Sequence, residues 1–147
     1  MTPDITTRLA RHIHVLSDPA QVYTDVHARL RDALGGHLSD GWDLDTVCAV
    51  VASAAQACRD QQLDIDSTER ALSIAATQAG GLSGTSGTWL AAYQLREARR
   101  AGGEAAALAA HGVTAPKSGL EGRRGLFAVM APGSVPDDLL SSKSVGA

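Results

Sequence analysis

Aromatic residues are scarce in this sequence. Its 147 residues hold five: Tyr23, Trp42, Trp89, Tyr93 and Phe127. Sandwiches and barrels draw on aromatic and β-branched side chains for their inner faces, so this scarcity argues against a β fold. Cysteine is rarer still, at Cys48 and Cys58. Ten residues of helix hold two side chains about 15 Å apart along the axis, beyond disulfide reach, which leaves two buried free thiols as the expectation. No paired Cys/His spacing, HExxH, GxGxxG or Walker lysine occurs, so no metal and no cofactor is expected. The net charge is only −3. It offers no electrostatic footprint for nucleic acid. No apolar run approaches the roughly 20 residues of a membrane span. No basic-then-apolar leader opens the chain, and a cytoplasmic location is expected.

What the sequence has in abundance is alanine, 26 residues of it. Small side chains in that number suit closely packed helices. The expected fold is therefore all-α, a single compact bundle of about six helices over residues 1–131. Residues 132–147, dominated by Ser, Pro, Gly and Asp, read as a flexible C-terminal tail.

Apolar spacing places the helices. Ile5, Leu9, Ile13 and Leu16 form one stripe over 3–16. Ser17-Asp18-Pro19 marks a stop and a new start, with proline suited to a first turn. Val22, Val26, Leu30 and Leu34 carry the second helix, which ends at Gly35-Gly36. A third helix over about 46–60, with Asp45 as its plausible cap, is apolar nearly all round and so should be enclosed. A fourth is expected over about 67–80, opened by Asp66 with Glu69 three positions on. Gly80–Gly87 holds four glycines, the mark of a mobile loop or of a close backbone approach. A helical pattern then runs from Thr88 to His111, interrupted by Gly102-Gly103, and one or two short turns follow over 118–131.

Several residues could carry chemistry. Asp43 and Asp45 flank the third helix, where a carboxylate either caps the N-terminus or, if buried beside Trp42, has its pKa raised towards that of a working acid. His37 lies in the same polar turn. Trp89 and Tyr93 are one helical turn apart and share a face. They read as core, as a subunit interface, or with Thr88 and Gln94 as the wall of a ligand site. His12, His14 and His27 read as solvated, and His111 as a last-turn partner of the helix dipole. Arg123-Arg124 is either a structural ion pair or an anion clamp.

Read in order, these pieces resemble the helical domain of the MmgE/PrpD family. The resemblance rests on Asp25 to Leu34, on Gly41-Trp42, on the run from Asp64 to Leu82 and on Gly87-Thr88-Trp89. It continues through His111 to Pro116 and Leu120-Glu121-Gly122-Arg123-Arg124-Gly125-Leu126-Phe127, covering about residues 20–130. The resemblance implies metal-free proton abstraction, with elimination or decarboxylation, on small polycarboxylates such as 2-methylcitrate and cis-aconitate. It also implies a longer protein with an α+β lid domain, of which no counterpart is recognisable in these residues.

The departures bear on function. Where the family has His after Gly-Trp, this sequence has Asp43. Where the family has Thr-Lys and then His-x-Gly, it has Leu90-Ala91 and Gln94-Leu95-Arg96. Neither Ala nor Gln titrates, so the parent chemistry does not carry over unchanged. Two readings stay open. One is a small enzyme with an altered site, performing elimination, isomerisation or cyclisation on a small organic metabolite in specialised biosynthesis. It would use Asp43, His37 and Tyr93 as catalytic groups and Trp42, Thr88, Trp89, Gln94 and Arg124 for binding. The other is a catalytically silent binding or assembly module, or the partner of a separate lid chain. A scaffold without its lid would expose apolar helix faces, so a homodimer is expected.

Overall fold

The computed structural model describes residues 4–134 and 139–140. Among them run six helices: α1 (Ile5–Val15), α2 (Pro19–Leu34), α3 (Leu44–Asp60), α4 (Ile65–Thr77), α5 (Trp89–Ala110) and the short α6 (Leu126–Met130). A single 3₁₀ turn, Ser83–Thr85, precedes α5. The one β feature among the described residues is an isolated antiparallel bridge between Trp42 and Leu82.

The helix that is apolar all round is the central one. Val47 to Ala55 of α3 are buried without interruption, and α2, α4 and α5 pack around them. On α5 the buried face is Ala98, Gly102, Ala105, Ala106 and Ala109. These small residues let two backbones approach until a Cβ on Gly102 would lie 2.4 Å from the Val50 carbonyl oxygen. That contact explains why Gly102-Gly103 does not interrupt α5. Packing on α3 outweighs the roughly 1 kcal/mol by which a mid-helix glycine is disfavoured. Leu9 and Ile13 seat α1 against α4 and the near side of α3.

Two helix starts fall earlier than local patterning suggests. Asp43, not Asp45, caps α3, its carboxylate accepting from the Thr46 N–H at 3.1 Å. Asp45 is thereby left exposed and pairs with Arg31. Likewise Asp64, not Asp66, caps α4, accepting from the Ser67 N–H at 2.8 Å, while Asp66 pairs with Arg70 one turn on. In both cases an apolar residue, Leu44 or Ile65, packs against the core and draws the first turn back by about two positions.

The expected tail over 132–147 lies mostly outside the described residues. Its described part includes Leu139, which is 2% exposed and packs into the core, its carbonyl accepting from Arg29 at 3.1 Å. The same Arg29 bonds Asp25 at 3.0 Å, and Asp25 also holds the His12 ring at 2.6 Å. His12 is thus a partly buried member of a polar network linking α1 to α2, not a solvated side chain. His27 stacks on Tyr23, and His111 caps α5 through Nδ1 on the Ala107 carbonyl at 2.8 Å.

Candidate functional site

The glycine-rich segment after α4 lies on the turn that leads into α3. Gly41-Trp42-Asp43 runs antiparallel to Gly81-Leu82-Ser83: the Asp43 N–H donates to the Gly81 carbonyl at 2.8 Å, and the Ser83 N–H to the Gly41 carbonyl at 2.9 Å. Gly81 has φ +114°, and a Cβ there would sit 2.7 Å from Thr46 Cγ2. Only glycine satisfies both conditions without strain. At Gly81 the segment is therefore a close backbone approach.

Gln94 locks this segment from the side of α5. Its Oε1 accepts from the Leu82 N–H at 2.8 Å and its Nε2 donates to the Leu82 carbonyl at 3.3 Å. The same amide lies within 3.5 Å of the hydroxyls of Thr46 and Thr85. Thr46 in turn donates its hydroxyl to Asp43. Asp43, Thr46, Gln94 and the 82–85 turn make one continuous hydrogen-bonded unit joining three segments of chain.

An open cleft of about 390 Å³ lies beside this unit. Thr46, Gly81, Leu82, Leu90, Tyr93, Gln94, Glu97 and Arg100 are among its walls. Glu97 is held by Arg100 Nε at 2.8 Å, and Arg100 is also held by Glu104 at 3.0 Å. Glu97 and Arg100 are the charged groups lining it, and sequence reading had singled out neither. The signal available was their spacing from Tyr93 and Gln94, which puts them one to two turns further along the same helix.

The candidate residues divide accordingly. Tyr93 and Gln94 line the cleft, and Asp43 stands one hydrogen bond behind it through Thr46. Trp42 packs partly buried over Gly80. Thr88 directs its hydroxyl to the Thr85 carbonyl at 2.6 Å and so shapes the loop. Trp89 points away, 95% exposed, so the two rings do not form a shared wall. His37 is exposed near Gly133, away from the cleft walls. Arg124 lies on a different cavity, between α4 and the 116–125 loop.

Burial pushes the thiols of Cys48 and Cys58 up to about 12, so both are poor nucleophiles. Among the described residues no group of three or more His, Cys, Asp or Glu is placed to hold a metal ion. Nor is any helix there long and apolar enough to cross a membrane.

Comparison with known proteins agrees with the helical architecture. A search of curated proteins gives no match. Residues 20–138 of the 147 match the MmgE/PrpD N-terminal domain, so the chain belongs to the MmgE/PrpD family.

Proposed function

We propose that this chain is a binding and assembly module that keeps the family's helical scaffold without its proton-transfer chemistry. One observation carries the reading: Asp43 and Gln94, which stand where the family keeps titrating groups, are both engaged in holding the glycine-rich turn. A general base has to reach the proton it removes. Asp43 instead accepts both the N–H and the hydroxyl of Thr46, and the neutral Gln94 has no proton to exchange. Ala91 supplies nothing at the lysine position. What remains is a shaped cleft of the size that takes a small organic molecule. Of the residues lining it, Leu82, Leu90 and Tyr93 are exposed, and Trp89, next to Leu90 in the chain, is exposed as well. We assign this rim to a second copy of the chain. A two-fold pairing of copies would cover it.

The test has two parts. Incubation with 2-methylcitrate or cis-aconitate is expected to give no product above buffer. Turnover of either acid that disappears in Asp43→Asn would overturn the reading. Sedimentation velocity is expected to show a dimer that dissociates in a Trp89→Ser, Leu90→Ser variant.

A second reading has one observation in its favour. Tyr93 and Glu97 line the same cleft one helical turn apart, a phenol and a carboxylate that can give and take a proton. On that reading the chain is an enzyme of altered chemistry acting on a small metabolite, and Tyr93→Phe and Glu97→Gln each abolish turnover of its substrate.

A further inference from the structure

A second cavity, of about 360 Å³, lies between the C-terminal half of α4 and the 116–125 loop with α6; Thr77 and Ala79 line it, while Gln78 and Gly80 line the first cleft. Its apolar walls are Ala76, Ala79, Leu126, Val129 and Met130. The polar part is Thr77, Ser118 and two cations, Arg123 and Arg124, with no carboxylate in the lining.

The loop is built so that these charges stay free. Gly119, Gly122 and Gly125 are each packed too tightly for a side chain: a Cβ on Gly119 would meet the Ser73 backbone at 2.6 Å, and one on Gly125 the Gly119 carbonyl at 2.7 Å. Main-chain bonds from Gly122 to Ser118 and from Leu126 to Gly119, at 2.8 and 2.9 Å, close the turn on itself. The one acid inside the loop, Glu121, is turned the other way. Its Oε2 accepts from the Thr6 hydroxyl at 2.6 Å and the Thr6 N–H at 3.3 Å, which ties it to α1. Neither arginine has an ion-pair partner among the described residues.

Adjacent unneutralised guanidinium groups on a rigid loop, at the mouth of a partly apolar cavity, make a receptor for an anion with a hydrocarbon part. We propose that this cavity binds a small organic phosphate monoester, with the phosphate between Arg123 and Arg124 and its organic group against Val129, Leu126 and Met130. A phosphate monoester brings three terminal oxygens and up to two negative charges, against two oxygens and one charge for a carboxylate, and so answers two guanidinium forks more fully. Ser118 supplies a hydroxyl that would complete its shell. The site is separate from the α5 cleft, so the proposal stands or falls independently of the function assigned there.

Calorimetric titration with phenyl phosphate tests it, with inorganic phosphate as the second probe. The expected result is saturable binding of phenyl phosphate, tighter than that of inorganic phosphate because only the former covers the apolar wall. Arg123→Gln with Arg124→Gln should weaken it by about tenfold or more, the loss expected for charge-assisted hydrogen bonds. Val129→Glu is a second variant, at a side chain 63% exposed and so removable without harm to the core. It puts a negative charge on the wall and should abolish binding while leaving the thermal transition in place. Absence of saturable binding to the wild-type chain overturns the proposal. So does affinity left unchanged by either variant, or equal affinity for the two probes.

Discussion

The side chain of Gln94 brackets the main chain of Leu82, accepting its N–H at 2.8 Å and donating to its carbonyl at 3.3 Å. A side-chain amide here does what a neighbouring strand would do for the 82–85 turn. It bonds the N–H and the C=O of Leu82, neither of which takes part in the main-chain bonds of the Trp42 bridge, made by Gly81 and Ser83. Gln94 thereby fastens α5 to the loop that reaches Asp43.

The fastening makes Gly81 the most sensitive point of the turn. Gly81→Ala forces a non-glycine residue to φ +114° and drives its Cβ to 2.7 Å from Thr46. A loss of about 1–3 kcal/mol is expected, read as a lower midpoint in urea. Hydrogen exchange should speed up at Leu82 and Asp43 before it does in α3.

Asp43 separates capping from catalysis. Asp43→Ala removes the acceptor for the Thr46 N–H and should lower stability by about 1 kcal/mol. Asp43→Asn keeps a cap of similar quality and should unfold near the wild-type denaturant midpoint. Equal destabilisation by both would mean that the carboxylate charge, and not the cap, holds this turn.

The crossing of α3 and α5 gives a paired test at adjacent glycines. Gly102→Ala puts a Cβ 2.4 Å from the Val50 carbonyl oxygen and should cost about 1–3 kcal/mol. Gly103 faces open space, with no atom within 4 Å of an added Cβ. Gly103→Ala should therefore raise stability by about 0.5–1 kcal/mol, the gain of alanine over glycine in a helix. Opposite signs in thermal melts of the two variants are the expected outcome.

The buried thiols set an alkaline limit. In the folded chain Cys48 and Cys58 titrate near 12, raised from 9.0 first of all by burial. Between those values the unfolded chain gives up protons that the folded chain keeps. By linkage, stability then falls as pH rises above about 9. Cys48→Ala should flatten the decline in melting temperature over that range. At neutral pH neither thiol should react with a thiol reagent until denaturant is added.

The helices were legible in the sequence because the information is local. Four-residue spacing at Ile5, Leu9 and Ile13, the Asp18-Pro19 start and the apolar run from Val47 each act within a few residues of themselves. Alanine content and the poverty of aromatics pointed to closely packed helices for the same reason: side-chain size acts at every contact, whatever its partner. The tertiary structure decided everything that depends on residues far apart in the chain. It chose Asp43 over Asp45 and Asp64 over Asp66 as caps, because core burial of Leu44 and Ile65 outweighs the near-equal local preference of two aspartates. It brought Asp25 to His12 and Arg29, and Leu139 to the core, across separations that no periodicity encodes. It turned Trp89 outward and Gln94 inward from one helix, because Leu82 reaches α5 only after the chain has folded back on Gly41-Trp42-Asp43. Helix propensity and amphipathic spacing are properties of a segment. A hydrogen bond between a side chain and a distant peptide is a property of the path between them, and that path exists only once the bundle has formed.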